Sequence, residues 1–241
     1  MIQLRLDFIT ENNFLPSDYS KFMVSFLKKS TEQYATGFYK QIFDKDNIHI
    51  KTYTFSTYLP GVKFSSKCIQ LDENAFSIYF SDCNTKELMH FYNSFITMKN
   101  KKFPVKNNTI ILNNISSLPI KDISTDEIII KMLSPLLVRS HFRNDNKDEY
   151  ILYNDSIFND KVKSNIKAML DYEGLNFKLD NFRISEVDAK SVVVNTFSGT
   201  KIGNIGYFKL EGSKELLNLL QLSGIGSRRG EGFGKFEVVR W

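Results

Sequence analysis

The sequence has few cysteines, few prolines and no long hydrophobic run, and each scarcity excludes a class of protein. Its 241 residues include only two cysteines, Cys68 and Cys83, which excludes a disulfide-rich secreted domain. The 5 prolines and 12 glycines exclude collagen-like and linker-dominated chains. Apolar runs such as residues 128–130 fall far short of the about 20 residues that a membrane-spanning helix needs.

The N-terminal segment does not resemble an export signal. Its first nine residues, MIQLRLDFI, alternate between apolar and polar side chains, whereas a secretory signal needs a longer apolar stretch and a cleavage site of small residues. We therefore expect a cytoplasmic protein with reduced cysteines and no membrane partner. The net charge of +5, from 32 Lys+Arg and 27 Asp+Glu, permits a polyanionic partner without requiring one.

Hydrophobic periodicity predicts that the two halves of the chain repeat the same order of elements. In the first half we predict a strand at 2–8, a helix from 17 or 18 to about 43, strands at 48–58, 67–71 and 75–80, a helix at 85–98, and extended segments at 109–112 and 115–120. Residues 67–71 and 75–80 are expected to pair as a hairpin. In the second half we predict a strand at 127–138, a helix at 155–172, strands at 181–197 and 201–210, a helix at 213–222 and a strand at 233–241.

This order is βαββαβ twice over, which is typical of the ferredoxin-like fold. The sequence therefore predicts an α+β protein of two tandem ferredoxin-like, RRM-like domains, with residues 1–124 in the first and 125–241 in the second. Most helix aromatics are expected to fill the core rather than to stack on bases; these are Phe22, Phe26, Phe38, Phe91 and Phe95.

The most distinctive segment is GIGSRRGEGFG, residues 224–234, with five glycines and two adjacent arginines. A dinucleotide-binding glycine motif follows a strand and opens a helix, whereas this segment follows a predicted helix and precedes a strand. What remains is an anion-binding turn, in which backbone N–H groups and the forked guanidinium groups of Arg228 and Arg229 contact phosphate oxygens. The alternative is purely structural: Gly224 ends the helix and the rest forms a loose hairpin.

The glycine spacing resembles that of a known RNA-processing family. Gly224-Ile225-Gly226 is followed after five residues by Gly232-Phe233-Gly234, just before the final predicted strand. This arrangement is similar to the glycine-rich signature of the CRISPR-associated endoribonucleases that process precursor CRISPR RNA, within the repeat-associated mysterious protein superfamily. Further similarities lie in the Ser-Pro motif of residues 133–138, the helix region of residues 150–172, and the Tyr-Thr-Phe-Ser strand motif of residues 53–56.

The resemblance implies metal-independent cleavage of CRISPR repeat RNA. The 2′-OH attacks the adjacent phosphate, which leaves a 2′,3′-cyclic phosphate and a 5′-OH. Family members often stay bound to the guide RNA, and some join other CRISPR effector subunits. The residues expected to contact the RNA come from the glycine-rich segment and the lysine that follows it: Gly224, Gly226, Ser227, Arg228, Arg229, Gly230, Gly232, Gly234 and Lys235.

Cleavage of this kind needs a base, an acid and a cation that stabilises the developing charge. Many family members carry a histidine at the end of the first long helix, where this chain has Tyr39. A tyrosine with its ordinary pKa of about 10 is a poor base at neutral pH, but it can orient the 2′-OH. His49 is the nearest histidine, and nearby lysines can supply the cation. The candidate catalytic residues are therefore Tyr39, Lys45, His49 and Lys51.

No cluster of histidine, cysteine or acidic residues has metal-ligand spacing, so we expect no metal and no cofactor. Three functions stay open at this point. The first is a repeat-RNA endoribonuclease, and the second is a non-catalytic guide-RNA-binding subunit, which the tyrosine at position 39 keeps open. The third is an unrelated ferredoxin-like protein that binds a small molecule.

Overall fold

The computed structural model describes residues 1–44, 49–65, 68–142 and 147–240, and these form two compact units. Unit 1 comprises Met1–His49 and Ser56–Ile120, and unit 2 comprises Ile50–Phe55 and Lys121–Trp241. A short segment from the first half of the sequence thus belongs to unit 2. The domain boundary between residues 124 and 125 stays a prediction.

Unit 1 is a five-stranded antiparallel sheet with helices packed on one face. Its elements are β1 (Ile2–Thr10), β2 (Phe14–Pro16), α1 (Tyr19–Tyr34), α2 (Thr36–Phe43), β3 (Tyr53–Tyr58, of which Ser56–Tyr58 lies in this unit), β4 (Lys63–Phe64), β5 (Cys68–Gln70), β6 (Ala75–Asp82), α3 (Thr85–Met98), β7 (Lys102–Val105) and β8 (Asn108–Pro119). The strand order is β3-β6-β1-β8-β7, and β2, β5 and β4 form a separate small sheet.

Alternation along β1 explains which face of this sheet is covered. Leu4, Leu6 and Phe8 are buried, whereas the residues between them are half-buried. The buried face meets an aromatic core, in which the ring centroids of Phe8 and Phe26 lie 5.1 Å apart in an edge-on contact. The five helix phenylalanines predicted to be core are all buried, so this prediction is confirmed.

Unit 2 repeats the same arrangement of strands. Its elements are β9 (Glu127–Met132), β10 (Arg139–Phe142), β11 (Lys147–Tyr150), α4 (Phe158–Glu173), β12 (Arg183–Thr196), β13 (Gly199–Glu211), α5 (Lys214–Ser223), a 3-10 turn (Arg229–Glu231) and β14 (Phe236–Arg240). The sheet order is β12-β13-β9-β14, and β10 pairs with β11. In both units the first and third strands of the βαββαβ order lie at the centre. The predicted α+β fold of two tandem ferredoxin-like domains is confirmed.

Several local predictions are wrong. The predicted first helix is divided at Ala35, which adopts an extended conformation with φ −159°. Strand β5 pairs with β2 and β4 rather than with β6, because short strands carry too few side chains to specify their partner. Helix α4 starts at Phe158 after an uncapped Ile157, three residues later than predicted. The sequence reading also missed β7 and the β10–β11 hairpin.

A buried amide joins β13 to the segment that follows β9. The Asn204 side chain is fully buried; its Nδ2 donates to the carbonyl oxygens of Leu136 and Ile151, both at 3.2 Å, and its Oδ1 accepts from the Tyr153 N–H at 2.8 Å. Its backbone also exchanges two hydrogen bonds with Leu136. This amide therefore provides hydrogen bonds to three main-chain groups, those of Leu136, Ile151 and Tyr153.

Replacing Asn204 by leucine should lower the free energy of unfolding by at least about 2 kcal/mol, because buried main-chain groups lose their partners. Asn195→Leu is the matched control on the same hairpin: Asn195 is exposed, and its change should stay within about 0.5 kcal/mol. Urea unfolding of both variants measures the difference. Equal losses in the two variants would contradict the structural role of Asn204.

Candidate nucleic-acid interface

The glycine-rich segment, residues 224–234, connects α5 to β14 and is closed by main-chain hydrogen bonds. The Ile225 N–H donates to the Gly234 carbonyl at 2.9 Å, which joins the two ends of the segment. The Gly234 N–H donates to the Pro135 carbonyl at 3.0 Å, and the Ser227 N–H donates to the Leu137 carbonyl at 2.7 Å. The loop is therefore an ordered part of unit 2, attached to the Ser-Pro motif that resembles the family pattern.

Atoms of the chain itself occupy the space beside most of these glycines. A Cβ at Gly232 would lie 2.5 Å from the Phe55 ring, and its φ of +87° favours glycine as well. A Cβ at Gly226 would lie 2.5 Å from the Leu137 carbonyl oxygen, and one at Gly230 would lie 2.7 Å from Lys51 Cγ. The glycines thus allow close packing inside unit 2.

The partner in this packing is the segment Lys51–Phe55, which includes the first half of β3. The Thr54 hydroxyl donates to the Phe233 carbonyl at 3.0 Å. Arg229 Nη2 donates to the Lys51 carbonyl at 2.8 Å, so the middle of the loop and its C-terminal end are both hydrogen-bonded to this segment. The Tyr-Thr-Phe-Ser motif and the glycine motif, which are about 170 residues apart in sequence, are therefore in direct contact.

The two adjacent arginines point to different surroundings. Arg229 is only 5% exposed, and its guanidinium also contacts Met169 Sδ at 3.0 Å. Arg228 is half-buried, with its side chain 15% exposed, and it adopts the left-handed conformation with φ 55°. It contacts the Tyr150 hydroxyl at 2.5 Å, Ser198 Oγ at 2.7 Å and Glu231 Oε1 at 2.6 Å.

Only part of the predicted RNA-binding set reaches the surface. Ser227, Arg228, Gly230 and Gly232 are half-buried, whereas the other members of the set are buried; these are Gly224, Gly226, Arg229, Gly234 and Lys235. Their contact with RNA stays a prediction. The half-buried group, which we call the exposed loop surface, is where a phosphate could approach.

Four residues that the sequence reading did not select border the exposed loop surface. Tyr150 contacts Arg228, and its ring lies 5.5 Å from Lys201 Nζ. Ser198, at the turn between β12 and β13, and Glu231 complete the contacts of Arg228. Glu231 lies inside the glycine motif and could have been noticed, whereas nothing in the sequence places Ser198 or Lys201 beside residue 228.

The candidate catalytic residues lie in both units. In unit 1, Tyr39 is half-buried on α2, and the His49 side chain is 4% exposed with Nε2 3.7 Å from Glu87 Oε1. Glu87 also accepts a hydrogen bond from Gln41 at 3.2 Å. Lys51 lies in unit 2 against the glycine loop, and Lys45 lies outside the described residues. The catalytic assignments stay predictions.

Metal-binding clusters and membrane-spanning helices are both absent from the described part of the chain. Among those residues, no group of three or more histidine, cysteine or acidic side chains is close enough to hold a metal ion. No helix there is both long and apolar enough to cross a membrane.

Residues 118–238 match the family model of the C-terminal part of the CRISPR-associated protein Cas6, which is half of the chain. The chain belongs to the Cas6 family. Members of this family are endoribonucleases, and the match confirms the resemblance stated from the sequence motifs. The match includes the Ser-Pro motif, α4 and the whole glycine loop.

Solved Cas6 and related structures share the fold of the whole chain. One is a RAMP protein that binds different RNA substrates, with 21% identity, 100% of each chain covered and a TM-score of 0.85. Another is a Cas6-related protein from Pyrococcus furiosus, with 20% identity, 99% of this chain and 98% of the other covered, and a TM-score of 0.86. A third is a Cas6 product complex, with 12% identity, 99% of each chain covered and a TM-score of 0.72. None of the curated protein sequences compared with this chain matches it.

Lys235 directly follows the loop and is buried to 1% exposure. Burial disfavours the charged form and lowers the pKa of its amine from 10.5 to about 7. Between these two values the unfolded chain binds more protons than the folded chain. The contribution of Lys235 to folding stability therefore rises with pH above about 7.

Raising the pH from 7 to 9 should stabilise the natural chain relative to Lys235→Met by about 2 kcal/mol, because methionine cannot titrate. Urea unfolding at pH 7, 8 and 9 measures both proteins. If the free energies of unfolding of the two proteins change equally with pH, the pKa of Lys235 is the same in the folded and unfolded chains.

Proposed function

We propose that this chain binds CRISPR repeat RNA and cleaves it as a metal-independent endoribonuclease, leaving a 2′,3′-cyclic phosphate and a 5′-OH. The observation that carries the proposal is the Cas6 family match over residues 118–238, which includes the ordered glycine loop with its surface arginine. The expected partner is CRISPR repeat RNA or the processed guide RNA. Association with other effector subunits and cytoplasmic location stay predictions.

In this proposal the RNA backbone crosses the exposed loop surface. Arg228 offers a guanidinium that can form paired hydrogen bonds with phosphate oxygens, and Lys201 adds a second cation beside Tyr150. Glu231 competes with an incoming phosphate, because its carboxylate Oε1 already forms an ion pair with Arg228 Nη1 at 2.6 Å. Binding would therefore replace an internal anion with the anion of the RNA. The buried members of the predicted set hold the shape of the loop and contribute to binding through it.

The proposed chemistry divides the catalytic steps among the four candidates. His49 accepts or donates a proton, and the neighbouring Glu87 carboxylate orients its imidazole. Tyr39 donates a hydrogen bond that positions the 2′-OH. Lys51, together with Lys45, stabilises the negative charge of the phosphorane.

A non-catalytic guide-RNA-binding subunit is the second candidate function, because Tyr39 stands where many family members carry histidine. One assay distinguishes the two. The protein is incubated in EDTA with its repeat RNA and with the same RNA carrying a single 2′-deoxy at the cut site. Cleavage of only the unmodified RNA is the result expected for the endoribonuclease. Tight binding without cleavage would favour the subunit, and absence of salt-dependent binding would contradict both.

Arg228→Met should weaken binding of the 2′-deoxy RNA and reduce its salt dependence, because a phosphate contact is lost. Glu231→Gln should instead tighten binding, since it removes the carboxylate that competes for Arg228 and keeps an acceptor for the Phe197 N–H. Fluorescence titration at two salt concentrations measures both variants. Weaker binding by Glu231→Gln would show that this ion pair supports the interface rather than competing with RNA.

His49→Ala should slow single-turnover cleavage by about 100-fold, because proton transfer by a positioned side chain contributes on that order. Binding of the 2′-deoxy RNA serves as the check that the variant is folded. Full activity of His49→Ala would leave Tyr39, Lys45 and Lys51 as the candidates.

A further inference from the structure

We propose that Gly230 and Arg229 are positioning residues for Lys51. Together they fix the direction in which the Lys51 side chain extends from the backbone and therefore where its amine lies. All three residues lie in unit 2. The effect of this positioning on cleavage rests on the proposed function, in which Lys51 stabilises the phosphorane.

Two neighbouring residues of the loop contact different parts of Lys51. Arg229 Nη2 donates to the Lys51 carbonyl at 2.8 Å, which restrains the main chain at this residue. The next residue, Gly230, faces the side chain, where a Cβ would lie 2.7 Å from Lys51 Cγ and 3.3 Å from its Cβ. The base of the lysine side chain therefore lies directly against the loop backbone.

Arg229 is itself held in place, so it can restrain the main chain of Lys51. It is 5% exposed, and its guanidinium is held between Met169 Sδ on α4 and the Lys51 carbonyl. The positive φ of Arg228 on one side and of Gly232 on the other sets the tight 3-10 turn that presents Arg229 and Gly230 to Lys51. The loop thus fixes Lys51 through its backbone shape as well as through a hydrogen bond.

A lysine that stabilises one transition state needs its side chain restrained near a single position. Its ammonium group stands at the end of a long flexible stem, so the free side chain samples many positions. Electrostatic stabilisation of a transition state depends on charges that are already in place before the reaction. Packing of Gly230 against Lys51 Cγ removes part of that freedom at the first bonds of the stem.

Gly230 provides a selective probe, because its φ lies outside the positive range and alanine can adopt its backbone. In Gly230→Ala the added methyl group therefore presses on Lys51 and, at 3.1 Å, on the Tyr53 hydroxyl. We expect about a 10- to 100-fold slower single-turnover cleavage at saturating protein, where weaker RNA binding has no effect on the rate. Gly212→Ala is the control, since its Cβ would meet only ordinary contacts at 3.5 Å or more.

The same substitution in a Lys51→Ala background separates positioning from general damage. Lys51→Ala removes Cγ, so the second change should alter the residual rate less than twofold. An equal fold-loss in both backgrounds would overturn the inference, as would a Gly230→Ala rate equal to that of the natural chain.

A second readout tests the geometry without any activity. Acetylation of the folded protein, followed by peptide mass spectrometry, measures the reactivity of Lys51 against that of the other lysines. Gly230→Ala should change the Lys51 rate severalfold and leave the others unchanged, whereas an unchanged Lys51 rate would contradict the positioning role. If the natural chain fails to cleave RNA while Lys51 reactivity shifts, the proposed function fails and the positioning inference stands.

Discussion

The close packing of a glycine-rich loop against Lys51–Phe55 is the constraint on which the rest of this site depends. Side chains at residues 226 or 232 would collide with Leu137 or Phe55 at positions whose φ is positive, so glycine is needed there for the loop to close, whereas a methyl group at residue 230 would press on Lys51. Because closure also uses main-chain hydrogen bonds to Pro135 and Leu137, the loop joins two distant sequence motifs. The motifs that resemble the Cas6 pattern are therefore parts of one packed structure.

This packing places the two adjacent arginines in different environments. Arg229 points inward and binds the Lys51 carbonyl, whereas Arg228, in the left-handed conformation, reaches the loop surface and meets Tyr150, Ser198 and Glu231. The net charge of +5 is thus a poor description of the interface. In the proposed function the relevant charge is the Arg228 guanidinium, whose present partner is the Glu231 carboxylate and whose proposed partner is an RNA phosphate.

The tandem fold could be predicted from the sequence because long periodic elements such as β1, α3 and the β12–β13 hairpin carry strong local signals. Helix α3 agrees with its predicted range, Thr85–Met98. The partner of β5 could not be predicted, because three residues do not specify a register. For the site, the glycine spacing identified the loop, but the burial of Arg229 and the contact between Gly230 and Lys51 depend on segments that are far apart in sequence.

The most direct test of this account is a crystal structure of the protein with repeat RNA that carries a 2′-deoxy at the cut site. We predict a phosphate oxygen within hydrogen-bond distance of Arg228, Glu231 displaced from that guanidinium, and the loop still packed on Lys51–Phe55. An RNA backbone that bypasses residues 227–232, or a loop that leaves Lys51–Phe55 when RNA binds, would contradict it.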